Sequence, residues 1–227
     1  MAIDLSQIKL ERDEIIVSWF NNYSGVLVKT PTTTIIIDPT EVNPLDFGKV
    51  DVVLITHEHF DHLDENIVKG FFERNRKCSV VADKTSAERL SEFIPADNLS
   101  AVDAGDKTDF GPVTVYSEHS EHPATTPLSY VIVSENGRVI YHTSDSAPFI
   151  GMKKIGQVYK PDITFCTVGI APGATPQTGA EIAEFVKPKL AIPYHGPRLE
   201  DFVKVLAKKN PKLQTKILKI KEMFKYV

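Results

Sequence analysis

Apolar positions along the chain fall into strand-sized runs, first one after another and then interleaved with segments of helical period. Residues 14–20, 25–29 and 33–38 read as three successive strands with polar turns between them. Pro39 and Pro44 punctuate a loop, and the β-branched run 50–56 predicts a short buried strand. Asp64 is placed to cap a helix in which Ile67, Val68, Phe71 and Phe72 share a face. Residues 78–82 predict another strand and 84–93 another amphipathic helix. Three further strands follow at 113–116, 128–134 and 138–142, the last two joined by the hairpin signal Asn136-Gly137. The second half alternates strand 162–168, helix 178–186, strand 190–194 and helix 199–208, with 215–220 placed to close a sheet. Two β-rich halves with helices outside them predict a sheet-on-sheet sandwich flanked by helices.

Length and composition narrow the class. The 227 residues suit one ordinary domain, and a fused pair of half-domains also fits. The longest apolar runs are strand-sized, and the N-terminus shows no basic segment followed by an apolar one, so the reading is a soluble cytoplasmic protein. Cys78 and Cys166 sit in apolar runs and cannot form a disulfide framework; buried small hydrophobes are the favoured reading. A net charge of −4 gives no basic footprint for nucleic acid. The Lys-rich stretch from Lys204 onward reads as a solvated helix face and edge strand, because apolar residues alternate through it.

The seven histidines carry the chemistry. In Thr56-His57-Glu58-His59-Phe60-Asp61-His62, His57 and His59 lie two apart at a strand end, so an extended backbone projects both rings to one side. Asp61 and His62 follow at the turn into the helix and can face the same cavity. Imidazole and carboxylate are ligands for zinc and related divalent metals, and a surface cluster is the weaker reading of four such groups in six residues.

The pattern His-x-His-x-Asp-His, complete here as His57, His59, Asp61 and His62, resembles the signature of the metallo-β-lactamase-fold hydrolases. The likeness extends over nearly the whole chain. Residues 35–39, Ile-Ile-Ile-Asp-Pro, look like the early strand whose aspartate, here Asp38, supports the site. Residues 141–146, Tyr-His-Thr-Ser-Asp-Ser, look like the strand end that supplies a metal-bridging carboxylate, Asp145. Residues 192–196, Ile-Pro-Tyr-His-Gly, resemble the last ligand strand, with His195. The Tyr-His-x-x-Asp-Ser and Pro-x-His stretches bring the chain nearest the branch that contains ascorbate-6-phosphate lactonase.

The resemblance implies an α/β (α+β) fold, a four-layer αββα sandwich spanning residues 1–227 as one domain. It also implies two divalent ions, with Zn2+ favoured and Mn2+ the alternative. The first would be held by His57, His59 and His119, the second by Asp61, His62 and His195, with Asp145 bridging. For the third ligand of the first ion, position after the predicted strand favours His119, and His122 before Pro123 stays the alternative. His142 reads equally as a hydrogen-bonded supporting residue or a direct participant. Arg198 could bind an anionic group, though a solvated arginine at a helix start is favoured. Loop 169–176 borders a pocket or is a plain strand-to-helix connection.

Asp61 and Asp145 are the expected catalytic carboxylates, serving a hydroxide held by both metals that would attack an ester, lactone or phosphoester of a small molecule. A histidine at position 59 argues against the diiron oxidoreductase branch, which tends to use a carboxylate there. The alternatives are a nuclease or phosphodiesterase of the same fold and a non-catalytic metal-binding module; homo-oligomerisation stays open and no membrane partner is expected. Two departures from the family pattern stand out. Ser144 replaces the usual glycine before the bridging aspartate, and Trp19-Phe20-Asn21-Asn22-Tyr23-Ser24 replaces Trp-Leu-Gly-His at the end of the first strand.

Overall fold

Strand formation follows the apolar runs closely. In the computed structural model, which describes residues 8–227, the chain divides into two compact units, each organised around one seven-stranded mixed sheet. The reading of the N-terminus rests partly on residues 1–7, which lie outside the described residues.

The first unit runs to Asp103 and adds Ala124–Pro127 and Ile220–Val227. Strands β1 (Ile15–Trp19), β2 (Val26–Lys29) and β3 (Thr34–Ile37) form an antiparallel meander. Strands β4 (Val52–Ile55), β5 (Ser79–Asp83) and β6 (Leu99–Val102) then continue the sheet in parallel. The crossovers carry helices α1 (Glu65–Arg74) and α2 (Lys84–Leu90). With numbering along the whole chain, β14 (Phe224–Tyr226) pairs antiparallel with β1 at the opposite edge. Asp64 caps α1 as expected, its Oδ1 accepting from the Ile67 N–H at 3.1 Å. Val68, Phe71 and Phe72 are the buried stripe of that helix, and Phe47 stacks edge-on against Phe71 and Phe20 at 5.5 and 5.0 Å. Strands β3 and β4 are buried at every position, which is why both read as unbroken apolar runs.

The second unit comprises Ala104–Pro123 and Leu128–Lys219. Strands β7 (Lys107–Phe110), β8 (Val113–His119), β9 (Leu128–Val133) and β10 (Val139–His142) run antiparallel in sequence order. Strands β11 (Ile163–Thr167), β12 (Leu190–Tyr194) and β13 (Gln214–Thr215) follow in parallel, with helices α3 (Met152–Tyr159), α4 (Pro176–Val186) and α5 (Leu199–Lys209) between and beside them. Thr175 and Thr178 form a reciprocal capping box at the start of α4, with Pro176 at its first turn.

Several elements depart from expectation for identifiable reasons. The hairpin between β9 and β10 is a three-residue loop closed by the Ser134 N–H to Arg138 carbonyl bond, and only Gly137 takes positive φ, +78°. Asn136-Gly137 therefore works as a turn with a left-handed glycine at its end, not as a two-residue turn. The strand expected at 215–220 shrinks to Gln214–Thr215. Strands β6 and β7 are edge strands with mostly exposed or half-buried side chains, so neither carries a strong apolar period, and α3 is a short helix that buries only Met152 and Ile155. Cys78 and Cys166 are free and buried, and burial pushes the Cys78 thiol up to about 12. Among the described residues, no helix is long and apolar enough to cross a membrane.

Candidate metal centre

Histidines and carboxylates gather at strand C-terminal ends in each unit. In the first, β4 ends at Ile55 and the chain passes through Thr56 and His57 into a tight turn, with the His62 and Leu63 N–H groups both bonded to the His59 carbonyl. His57 and His62 are fully buried and Asp61 nearly so. His57 Nε2 and His59 Nδ1 converge to 3.1 Å, with the two rings nearly perpendicular. The two nitrogens share one hydrogen as a neutral pair, and with that hydrogen displaced both lone pairs would be available to one cation. Asp61 Oδ2 lies 3.8 Å from His62 Nε2.

Asp38, the first residue after β3, orients this set. Its fully buried carboxylate accepts from the Thr56 N–H and hydroxyl at 2.8 Å each, from the Ser24 hydroxyl at 3.0 Å, and from His62 Nδ1 at 2.8 Å. That many donors is what a buried carboxylate requires. A proton on Nδ1 facing Asp38 leaves the lone pair on Nε2, the nitrogen a metal would take. A second chain of bonds fixes the preceding residue, Asp61. Thr40 Oγ1 donates to the Asp61 carbonyl at 3.0 Å, and Asn21 Nδ2 donates to the Thr40 carbonyl at 3.0 Å. Glu58 faces away from these contacts: its Oε1 accepts from the Thr125 N–H and hydroxyl at 3.0 and 2.7 Å. Burial works to raise the Glu58 pKa, but the Thr125 hydrogen bonds outweigh it and hold the carboxyl below its usual range.

In the second unit the donors come from three separate places. Asp145 follows β10 and is nearly fully buried, with one imidazole beside each oxygen: His195 Nε2 lies 3.2 Å from Oδ1, and His122 Nε2 lies 3.9 Å from Oδ2. His195 is the first residue after β12, and its side chain is fully buried. His119 and His122 part company here. The His119 side chain is 57% exposed, pairs with Glu121 at 3.3 Å and stacks edge-on against Phe149, whereas that of His122 is 1% exposed. The structure therefore brings His122 to Asp145 in place of the expected His119. The segment is steered there by Ser146 Oγ, which accepts from the Glu121 N–H, and by the Glu121 carbonyl, which accepts from Ala147.

Backbone strain marks both units. Asp38, Ser144 and His195 all hold positive φ, near +49°, +53° and +55°, each within two residues of a strand end. Left-handed backbone costs a non-glycine residue about 1–2 kcal/mol, and it persists where surrounding contacts fix it. At Ser144 those contacts are the Tyr194 hydroxyl, which donates to its carbonyl at 3.0 Å, and His142 Nδ1, which accepts from its N–H at 3.3 Å. His142 is thus a buried supporting residue, and the left-handed turn explains why glycine is usual at position 144. At His195 the carbonyl accepts from the Ile170 N–H at 2.9 Å, and a Cβ on Gly196 would come within 2.7 Å of the Gly169 Cα. Loop 169–176 therefore clamps the His195 turn through paired glycines. Arg198 binds Asp201 at 2.9 Å through Nε and is spent as a helix-start ion pair.

Sequence reasoning did not single out Thr40, and it gave Asn21, Ser24, Gly169 and Gly196 no supporting role. Nothing in local pattern marks a hydroxyl or amide whose partner lies many residues away. The donor set that is present, imidazoles and carboxylates with buried partners fixing their orientation, is of the kind that holds borderline divalent metals.

A sequence profile for the beta-lactamase superfamily domain matches residues 26–195. A UPF0173 metal-dependent hydrolase of Thermodesulfovibrio yellowstonii is 29% identical, with 90% of this chain and 89% of that protein covered. Among solved structures, a metallo hydrolase of Ignicoccus hospitalis superposes with a TM-score of 0.78 at 16% identity, over 94% of this chain and 99% of that one. The metallo-β-lactamase fold protein YhfI of Bacillus subtilis superposes with a TM-score of 0.74 at 15% identity, over 94% and 100% respectively. The α/β sandwich expected from the sequence is the fold of these neighbours.

Proposed function

The chain belongs to the metallo-β-lactamase superfamily and is a metal-dependent hydrolase, and from that premise we propose that it cleaves an ester, lactone or phosphoester bond in a small molecule with two divalent ions, Zn2+ or Mn2+. In this reading the 227 residues act as one cytoplasmic domain. The ligands in this reading would be His57, His59, Asp61 and His62 of the first unit and His122, Asp145 and His195 of the second.

The observation that carries the two-ion reading is Asp145. A buried carboxylate with a different imidazole beside each oxygen, at 3.2 and 3.9 Å, would suit a site that takes more than one cation. When bound, such a pair supplies an activated water near neutral pH and polarises the scissile group. The chain's own residues do the rest. Asp38 keeps His62 in the tautomer that offers Nε2, and Thr40 fixes the Asp61 backbone. The Asp61 carboxylate then faces the reacting region as the group that takes up and passes on a proton. The net charge of −4 favours a small-molecule substrate over a nucleic acid.

Elemental analysis of the purified protein combined with an ester and phosphodiester panel tests this reading. Two ions per chain and turnover that His59→Ala abolishes are expected. Unchanged turnover in His59→Ala would remove the site from consideration.

A further inference from the structure

An exposed phenylalanine sits inside the densest cluster of ligands. Phe60 lies between His59 and Asp61 in sequence and is 77% exposed, the most exposed large hydrophobic residue among those described. Its only described ring partner is Tyr23, edge-on at 6.0 Å. Packing does not require an aromatic residue at position 60, and a small polar residue would fit the same turn at lower hydration cost.

Tyr23 is held with unusual care for a hairpin tip. Asn21 Oδ1 accepts from the Tyr23 and Gly25 N–H groups at 3.1 and 2.8 Å, and Trp19 Nε1 donates to the Tyr23 carbonyl at 2.6 Å. Gly25 is required there, because a Cβ would come within 2.4 Å of the Phe20 ring and 2.6 Å of Asn21 Nδ2. The same Asn21 side chain bonds Thr40, and Thr40 bonds the Asp61 carbonyl. Tyr23 and Asp61 are therefore fixed to one another through two intervening side chains. The negative charge of Glu41 raises the Tyr23 pKa, and burial and the charge of Asp61 add to it.

We propose that Phe60 and Tyr23 form a pre-set aromatic wall beside the metal ligands, which selects substrates carrying an apolar substituent of phenyl size next to the bond that is cleaved. This rests on the hydrolase reading and adds the substrate class to it. One member of the wall, Tyr23, lies in the Asn21–Ser24 stretch that replaces the pattern usual at the end of the first strand.

Calorimetry with phenylphosphonate and methylphosphonate separates this inference from catalysis, because both probes offer the same anionic head. The purified protein is expected to bind the phenyl probe about tenfold more tightly, in line with one aromatic contact pair. Phe60→Ala is expected to reduce that preference to within about twofold, and Phe60→Leu to keep part of it, with metal content retained in both. On phenylacetate and acetate esters, Phe60→Ala and Tyr23→Ala should raise KM about tenfold more for the larger substrate. Equal binding of the two probes by the unaltered protein, no binding of either, or a preference that survives Phe60→Ala would each overturn the proposal. A preference that holds while no ester or phosphoester is turned over would count against the hydrolysis reading and leave the wall standing.

Discussion

The two units follow one plan and supply their ligands in opposite ways. Each has an antiparallel meander that turns into a parallel βαβ stretch, and each presents polar residues at the C-terminal ends of its parallel strands. The first unit offers His57, His59, Asp61 and His62 from a single turn after β4. The second offers His122, Asp145 and His195 from three different strand ends and loops. One unit concentrates the chemistry and spends its remaining residues, Asp38, Ser24, Thr56, Thr40 and Asn21, on holding one turn still. The other spreads the chemistry and must fix each donor separately, by a left-handed Ser144 turn, a glycine pair and the docking of Glu121 on Ser146. Local clustering makes a site easy to specify in sequence; distribution leaves its assembly to packing.

The largest effect tests the second unit. Asp145→Asn is expected to lower activity by about a thousandfold or more and to reduce bound metal, measured by turnover and elemental analysis. In the same assay His122→Ala should behave as a ligand loss, whereas His119→Ala should stay within about twofold of the parent; the opposite ranking would restore His119. On the first unit, Asp38→Asn keeps the shape but can donate to His62, so metal affinity should fall about 10–100-fold, read by competition with a chelator. Gly196→Ala should cost about 1–3 kcal/mol in urea unfolding, because its Cβ meets the Gly169 backbone. The smallest change is a gain. Ser144→Gly should stabilise the protein by about 1 kcal/mol, since φ there is +53° and nothing in the described contacts uses the Ser144 hydroxyl.

Legibility followed the same division. The unbroken apolar runs of β3 and β4, the Asp64 cap and the contiguous ligand motif could all be read directly, because each depends on neighbours within a few residues. Residues 141–146 and 192–196 could be matched to Asp145 and His195 through family pattern, although their roles depend on distant partners. The choice between His119 and His122 was the place where reading failed. His119 continues the inward parity of Val113, Val115 and Ser117, but β8 ends at that residue and its ring turns out to Phe149 and Glu121. Beyond a strand end parity no longer holds, and the path of the chain is set by what it bonds to.

The sequence alone determined that there are two β-rich halves, that a carboxylate and three imidazoles cluster after the fourth strand, and that the chain has the makings of a metal hydrolase. Tertiary structure decided which histidine joins Asp145, which side chains lock His62 and Asp61, and why a left-handed serine is tolerated before the aspartate. The reason is physical: periodicity and motif spacing are properties of a few consecutive residues, whereas a buried polar atom is satisfied by whatever the fold brings within about 3 Å of it.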